Sequence, residues 1–343
     1  MVPAAPPAYL VVVGASAGGV STLLQLAGSL PRGFPAPVCV VQHVGANISI
    51  LPALVQARGP LPAVHAHDGQ RLEPGKIFIA PPDCHMLVIG DTIRLTRGPR
   101  ENYTRPAIDP LFRSAALHWG PHAIGVILTG LLDDGTAGLG AIKRRGGVTV
   151  VEDPATACEP SMPLSALQHV EVDHCLPVAG IGPLLASLVQ YEAPREAPRD
   201  VALEREVAIN LGANLMENLA SIATPSSLTC PDCGGALWEV EDVQPLRYRC
   251  HTGHAFSARS LEHAQAEAGE HALRGSVRAL QEREILLRRM ATVALGTGDQ
   301  RQADAALRRA EQLREQVRLL LTFTETVGAE GEEPAAADQP EPR

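Results

Sequence analysis

Residues Tyr9 to Val20, Tyr-Leu-Val-Val-Val-Gly-Ala-Ser-Ala-Gly-Gly-Val, constrain this chain more than any other stretch. Tyr9 to Val13 is an unbroken apolar, β-branched run, the mark of a strand buried on both faces, and Val20 to Leu30 carries apolar residues at helical spacing (Val20, Leu23, Leu24, Ala27). Between them Gly14-Ala-Ser16-Ala-Gly18 fits G-x-S-x-G, a pattern whose small residues let the backbone turn sharply and lift a hydroxyl clear of a sheet. The first N–H groups of the following helix aim at the same spot, where they can hold a bound anion or an oxyanion formed during reaction. A dinucleotide turn fits less well. Ser16 replaces the middle glycine of G-x-G-x-x-G, and the next strand, Pro37 to Gln42, ends in Gln42-His43 instead of an acid. Ser16 is therefore the candidate nucleophile, and the N–H of Ala17 the natural oxyanion donor.

Two more apolar strands end in chemistry. His43 lies just past Pro37 to Val41, and Ala123 to Thr129 runs into Gly130-Leu-Leu-Asp133-Asp134-Gly135. Val148 to Val151 reads as a further strand. Parallel strands gather their carboxyl ends at one edge, so Ser16, His43 and one of Asp133 and Asp134 are expected to meet as a hydrolytic triad. Their order along the chain, Ser, His, Asp, differs from the Ser, Asp, His order of α/β-hydrolases, which disfavours that fold. From Leu61 to Thr96, short apolar runs separated by turn residues predict an antiparallel extension or hairpin. Asp109 before Pro110 predicts an N-cap. Tyr103 and Arg105 are candidate substrate contacts, since an arginine beside an aromatic in a loop suits a carboxylate or carbonyl, although a surface salt bridge fits Arg105 equally well.

The stretch from about Tyr9 to Tyr191 resembles the catalytic domain of the bacterial chemotaxis protein-glutamate methylesterases, the CheB type. The resemblance rests on Gly14-Ala-Ser-Ala-Gly-Gly19, Gln42-His43, Ile79-Ala-Pro81 with His85-Met86, Arg105-Pro106-x-x-Asp109-x-Leu-Phe112, Gly125-Val-Ile-Leu-Thr-Gly130, Asp134-Gly135 and Ser161-Met-Pro163. It implies Ser16, His43 and Asp134 as the triad, with main-chain donors at Ala17 and Leu131, positions where the family often has threonine and methionine. It further implies hydrolysis of glutamyl methyl esters on chemoreceptor-type proteins, glutamine deamidation as a companion activity, and no cofactor for catalysis. Regulatory members carry an N-terminal receiver domain; here the resemblance starts near residue 8, so activity without phosphorylation is expected. The competing expectation is a signalling scaffold that retains the fold and docks a partner through its C-terminal region.

That region reads differently. After a charged, proline-containing linker at Pro194 to Arg199 and a partly helical stretch to Ile222 come Cys230-Pro-Asp-Cys233 and Cys250-His-Thr-Gly-His254. Two such knuckles supply a tetrahedral set, and Cys230, Cys233, Cys250 and His254 are the expected ligands of a closed, structural zinc, with His251 the poorer fourth choice. Beyond Leu261 the chain is rich in Ala, Leu, Arg and Glu, with a break at Gly296 to Asp299. Ala306, Ala310, Leu313, Val317 and Leu320 step by four and three, which predicts one arm of a helical hairpin or coiled coil. The expected fold class is α/β: a doubly wound, mainly parallel sheet with an antiparallel extension, then a small zinc-binding module and a C-terminal helical hairpin. The expected boundaries are 8–192 for the catalytic domain, 193–223 for a linker and helix, 224–260 for the zinc knuckle, 261–327 for the hairpin and 328–343 for a disordered acidic tail. On this division, metal removal should loosen residues 224–260 and spare 8–192.

Composition narrows the partners. A net charge of -9 leaves no basic stripe for nucleic acid, and 45% apolar residues suffice for a core. No run is apolar and long enough for membrane insertion, the N-terminus lacks a basic signal region, and seven cysteines, an odd number, suit thiols and a metal; a cytoplasmic location is expected.

Overall fold

A computed structural model of the chain describes residues 8–44, 48–190, 197, 199–241 and 244–329. The tail expected at 328–343 lies outside the described residues beyond Ala329, and so does most of the linker at Pro194 to Arg199. In chain order the first half forms β1 (Leu10–Ala15), α1 (Gly19–Ser29), β2 (Val38–Gln42), α2 (Leu51–Arg58), β3 (Ala63–His65), β4 (Ile77–Ile79), β5 (His85–Ile89), β6 (Thr92–Thr96), α3 (Ile108–Trp119) and β7 (Ala123–Ile127). Then come α4 (Thr136–Arg144), β8 (Val148–Glu152), α5 (Ser161–His169), β9 (His174–Leu176), α6 (Val178–Leu188), α7 (Val201–Asn210) and α8 (Leu215–Ala220). The last elements are β10 (Ala223–Thr229), β11 (Ala236–Val240), β12 (Arg247–Cys250), β13 (Ala255–Ser257), α9 (Ala258–Gly296) and α10 (Gln300–Ala329).

Seven strands make one parallel sheet in the order β3-β4-β2-β1-β7-β8-β9. The alternation of β1 explains its central place: Leu10 and Val12 enter the core under α3 and α4, while Val11, Val13 and Ala15 enter the opposite core under α1 and α6. Both faces being covered, the strand must be apolar throughout. The chain builds outward from β1 to β2 and β4, then crosses back to place β7 on the other side of β1. This reversal opens a crevice at the strand carboxyl ends.

Two expectations are corrected. The stretch Leu61 to Thr96 is not wholly antiparallel: β3 and β4 join the parallel sheet, and β5 pairs with β6 in a separate hairpin, His85 opposite Thr96. Ile77 to Ile79 is fully buried, which is why a short run can serve as an inner strand. Asp109 is not the N-cap of α3. Ala107 holds that position, and Asp109 sits in the first turn with its carboxylate turned into the core.

The chain divides into two compact units, the first ending at Glu262 and the second starting at His263. The first contains the region expected as 8–192 and the knuckles expected at 224–260. Within the second, α9 and α10 pack through small residues, Ala291 and Ala294 against Ala303 and Ala306, and Arg288 pairs with Glu311. Ala306, Ala310, Leu313 and Val317 are buried along the expected seam, with Leu320 half-buried.

Candidate active site

The turn after β1 is built from close backbone approach. Gly18 caps α1 in the left-handed region, with φ 74°, and a side chain at Gly19 would meet Gln42 Oε1 at 2.2 Å. The Ser16 N–H donates to Thr129 O (3.0 Å), Gly19 N–H donates back to Ser16 O (2.9 Å), and Gln42 Nε2 donates to the same carbonyl (2.8 Å). Thr129 Oγ1 donates to Ala17 O (3.0 Å). The nucleophile turn is thus anchored from β2 and β7, the two strands beside its own.

His43 leaves the end of β2 with its N–H on Ala15 O (3.2 Å), so its ring lies over the Ser16 turn. Nδ1 is 3.0 Å from Ser16 Oγ, and Nε2 is 2.8 Å from Asp134 Oδ2. A carboxylate can only accept, which puts the ring proton on Nε2 and leaves Nδ1 free to accept from the Ser16 hydroxyl. The ring is therefore used the other way round from the serine-protease arrangement, where Nε2 faces serine.

Asp134 is almost sealed and fully occupied. Besides the ring it accepts from Ile108 N–H (2.6 Å) and Asp109 N–H (3.2 Å) at the start of α3, and from Asn102 Nδ2 (2.8 Å). Burial alone would raise its pKa; the His43 ring, Ile108 N–H and Asn102 amide outweigh that and hold it below the usual carboxylate range. Asp133 points elsewhere, accepting from Ser257 Oγ (2.7 Å), and burial raises its pKa. Geometry thus separates the two neighbouring aspartates.

The other expected residues sort plainly. Neither Ala17 N–H nor Leu131 N–H has a backbone acceptor among the described residues; Ala17 follows Ser16 on its own turn, and Gly130, the residue before Leu131, comes so close that a Cβ on it would lie 2.7 Å from Ser16 Cβ. Leu131 is exposed. Tyr103 lies half-buried at φ 68°. Arg105 is committed to structure: it pairs with Asp83 (2.6 Å) and donates to Gly98 O (2.6 Å), tying the loop before α3 to the end of the β5–β6 hairpin.

Sequence reading missed the residue that joins most of these groups. Asn102 is 6% exposed and adopts φ 47°, a left-handed conformation that asparagine tolerates better than most residues. Its amide nitrogen bridges Asp134 and Asp109 Oδ2 (2.9 Å), while its Oδ1 accepts from Ser257 N–H (3.0 Å) and Ser260 Oγ (3.2 Å). Its neighbour Glu101 is also buried, held by Arg113, Arg249 (2.8 Å) and Asn210 (2.5 Å). Burial would raise Glu101, but Arg113 and Arg249 hold it well below the ordinary range. His85, buried at the start of β5, accepts Ala107 N–H on Nδ1 and donates from Nε2 to Pro99 O (3.0 Å), a neutral structural bridge.

Away from the relay, Cys230, Cys233, Cys250 and His254 bring one ligand atom each within 4.8 Å of one another. Cys230 Sγ to His254 Nδ1 is 3.7 Å, Cys250 Sγ to His254 Nδ1 3.6 Å and Cys233 Sγ to Cys250 Sγ 3.8 Å. A tetrahedron with metal–sulfur bonds of ~2.3 Å has edges of about 3.8 Å, so the set can hold zinc. His251 is exposed and packs on Gly235, outside the set.

The fold and this geometry define a doubly wound α/β protein with a Ser-His-Asp relay at its strand carboxyl ends. The chain belongs to the CheB methylesterase family, whose sequence profile matches residues 11–185. It is 37% identical over 186 residues to a Leptospira interrogans protein assigned as a protein-glutamate methylesterase/protein-glutamine glutaminase, covering 52% of this chain and 94% of that one. It is 41% identical over 181 residues to protein-glutamate methylesterase/protein-glutamine glutaminase 1 of Bordetella avium, of which it spans about half (53%). The crystal structure of the Thermotoga maritima CheB methylesterase catalytic domain is similar, with a TM-score of 0.51 and 34% identity over 52% of this chain and 98% of that one. Among the described residues no helix is long and apolar enough to cross a membrane.

Proposed function

We propose that this chain is a serine hydrolase of protein glutamyl methyl esters, with Ser16 as nucleophile, His43 as general base and acid, and Asp134 as the group that fixes the imidazole. The observation that carries the reading is the unbroken line from Ser16 Oγ to His43 Nδ1 (3.0 Å) and from His43 Nε2 to Asp134 Oδ2 (2.8 Å). Ser16 attacks the ester carbonyl as Nδ1 takes its proton, and the Ala17 and Leu131 N–H groups receive the developing oxyanion. The imidazolium, paired with Asp134, then returns the proton to the leaving methoxide. Methanol departs, and a water activated by the same ring releases the carboxylate. A glutamine amide follows the same path with ammonia as the leaving group, which makes deamidation a companion activity. The names of the relatives support this substrate class.

A scaffold without chemistry has no need of a carboxylate held by three donors against a histidine that faces a serine. Methanol release from a methylated chemoreceptor tests the reading, with fluorophosphonate labelling of Ser16 in parallel. Absence of both in folded protein would reject it.

A further inference from the structure

The hairpin of β12 and β13 carries metal ligands at one end and the support of the relay at the other. Cys250 closes β12, His254 precedes β13, and the Cys250 N–H donates to His254 O (2.9 Å) across the turn. One residue past His254, Ala255 O accepts the Asn102 N–H (2.8 Å), and two residues further Ser257 N–H holds Asn102 Oδ1 (3.0 Å). Arg249, just before Cys250, donates to Gly253 O in the ligand turn (3.1 Å) and to Glu101 Oε1 (2.8 Å) beside Asn102. Asn102 Nδ2 then donates to Asp134 Oδ1 (2.8 Å), the carboxylate that fixes His43. Every link from ligand turn to imidazole is a hydrogen bond or the next peptide unit.

We propose that a metal ion bound by Cys230, Cys233, Cys250 and His254 sets the position of Asp134, and so the turnover of the relay, with Asn102 as the positioning residue between them. The proposal rests on the hydrolase reading above. The physical reason is the shape of the turn. Four residues, 251–254, carry no apolar core of their own, and Gly253 stands at φ 103°. A tetrahedral ion joins this turn to the Cys230–Cys233 knuckle and removes its freedom. Without the ion the turn relaxes, Ala255 and Ser257 lose their fixed places, and the left-handed conformation of Asn102 loses the bonds that hold it. Asp134 then keeps its α3 donors, Ile108 N–H on Oδ2 and Asp109 N–H on Oδ1 (3.2 Å), but loses the shorter of the two bonds that orient Oδ1.

The test uses the full chain, purified without chelator, with zinc as the metal and a methylated chemoreceptor as substrate. About one equivalent of zinc should co-purify. Stripping it should lower kcat by about tenfold to a hundredfold with KM within about twofold, and zinc alone should restore the rate. Asn102→Ala should retain the metal, show a loss of similar size, and lose no more than about twofold further on stripping, because both changes act on one path. Hydrogen exchange gives a readout independent of turnover: metal removal should speed exchange at the Asn102 and Ser257 amides. Full kcat in the stripped chain, multiplying losses in stripped Asn102→Ala, unchanged exchange at Asn102, or protein that neither carries nor binds zinc would each overturn the proposal. If stripping unfolds the chain, Asn102→Ala decides alone, and a metal-loaded variant with a rate within about twofold of wild type overturns it. A chain with the exchange effect but no methanol release and no fluorophosphonate labelling supports the link to Asn102 and removes the hydrolase reading.

Discussion

The relay grades from accessible to sealed: Ser16 is half-buried, the His43 side chain is 13% exposed and Asp134 3%. The serine can thus meet a protein side chain, while the acid sits where low dielectric strengthens its hold on an imidazolium. Ser16→Ala and His43→Ala are each expected to reduce methanol release by several powers of ten, with unfolding midpoints close to wild type. Wild-type-like turnover in either removes the role. Asp134→Asn loses the charge and leaves two backbone donors, the Asn102 amide and the ring to share one amide oxygen, so its loss should be severe. Asp133→Asn keeps an acceptor for Ser257 and should be mild; the reverse ranking would transfer the role to Asp133. A second consequence concerns pH. Burial, then repulsion from Asp134, pushes Asp109 up to about 7. A carboxyl raised on folding holds its proton in the native state, so its contribution to stability is complete below about pH 4 and is lost as pH rises through about 7. His85 works in the opposite sense, because burial lowers its pKa and its contribution is lost as pH falls. Comparing the wild type with Asp109→Asn isolates the first effect. The urea midpoint difference should shift toward the variant between about pH 5 and 8, and a difference independent of pH sinks the assignment.

At the scale of elements, the loop from β7 into α4 is as constrained as the turn it faces. A Cβ on Gly130 would lie 2.1 Å from Met162 Sδ and 2.7 Å from Ser16 Cβ. Gly130→Ala must move the flexible methionine, the serine or both, so it is expected to cost about 1–3 kcal/mol and to slow fluorophosphonate labelling of Ser16 at least tenfold. A labelling rate equal to wild type would mean that Met162 alone gives way. This loop, like the other strand ends, was legible in the sequence. A central parallel strand is covered on both faces and therefore written as an unbroken apolar run, so its end marks itself, and Ser16, His43 and Asp134 each follow such an end. Asn102 left no comparable mark. Its partners Ser257 and Ser260 lie 155 and 158 residues away, and a polar contact across that distance imposes no period on either segment. Asp109 misled for a related reason: Asp before Pro is a local capping pattern, but the Gly138 N–H (2.7 Å) and Asn102 draw this carboxylate into the core. Arg105 left its two readings open because an arginine in a loop has the same sequence signature whether it holds a substrate or Asp83.

At the scale of the whole molecule, the face of α3 that supports the relay is finished by residues far along the chain. Arg113, on α3, is 2% exposed and meets Glu101 and Glu206. Glu206 also takes a two-pronged bond from Arg247 (2.7 and 2.5 Å), and although burial opposes it, Arg247 and Arg113 bring its pKa down to about 2. Leu203 and Val207 of α7 extend the apolar core on that side. Cutting after residue 192 removes Glu206, Asn210, Arg247 and Arg249 together, leaving Glu101 and Arg113 with part of their partners and a core edge in water. Breaking a buried ion pair costs about 3–5 kcal/mol, and losing the burial that a leucine and a valine supply costs about 1.5–3 kcal/mol each, against a typical domain stability of about 5–15 kcal/mol. Fragment 8–192 should therefore be unfolded or aggregated, or melt at least about 10 °C below the full chain, with methanol release reduced in step. Fragment 8–262 keeps α7, the knuckles, Ser257 and Ser260, and should melt and turn over close to the full chain. The pair of fragments separates two arrangements of the same sequence. If 8–192 matches the full chain in melting temperature and rate, the buried ion cluster is an accessory contact and the hydrolase ends at α6. If only 8–262 does, the α7 and knuckle segments are part of the structure on which the Ser16 relay stands.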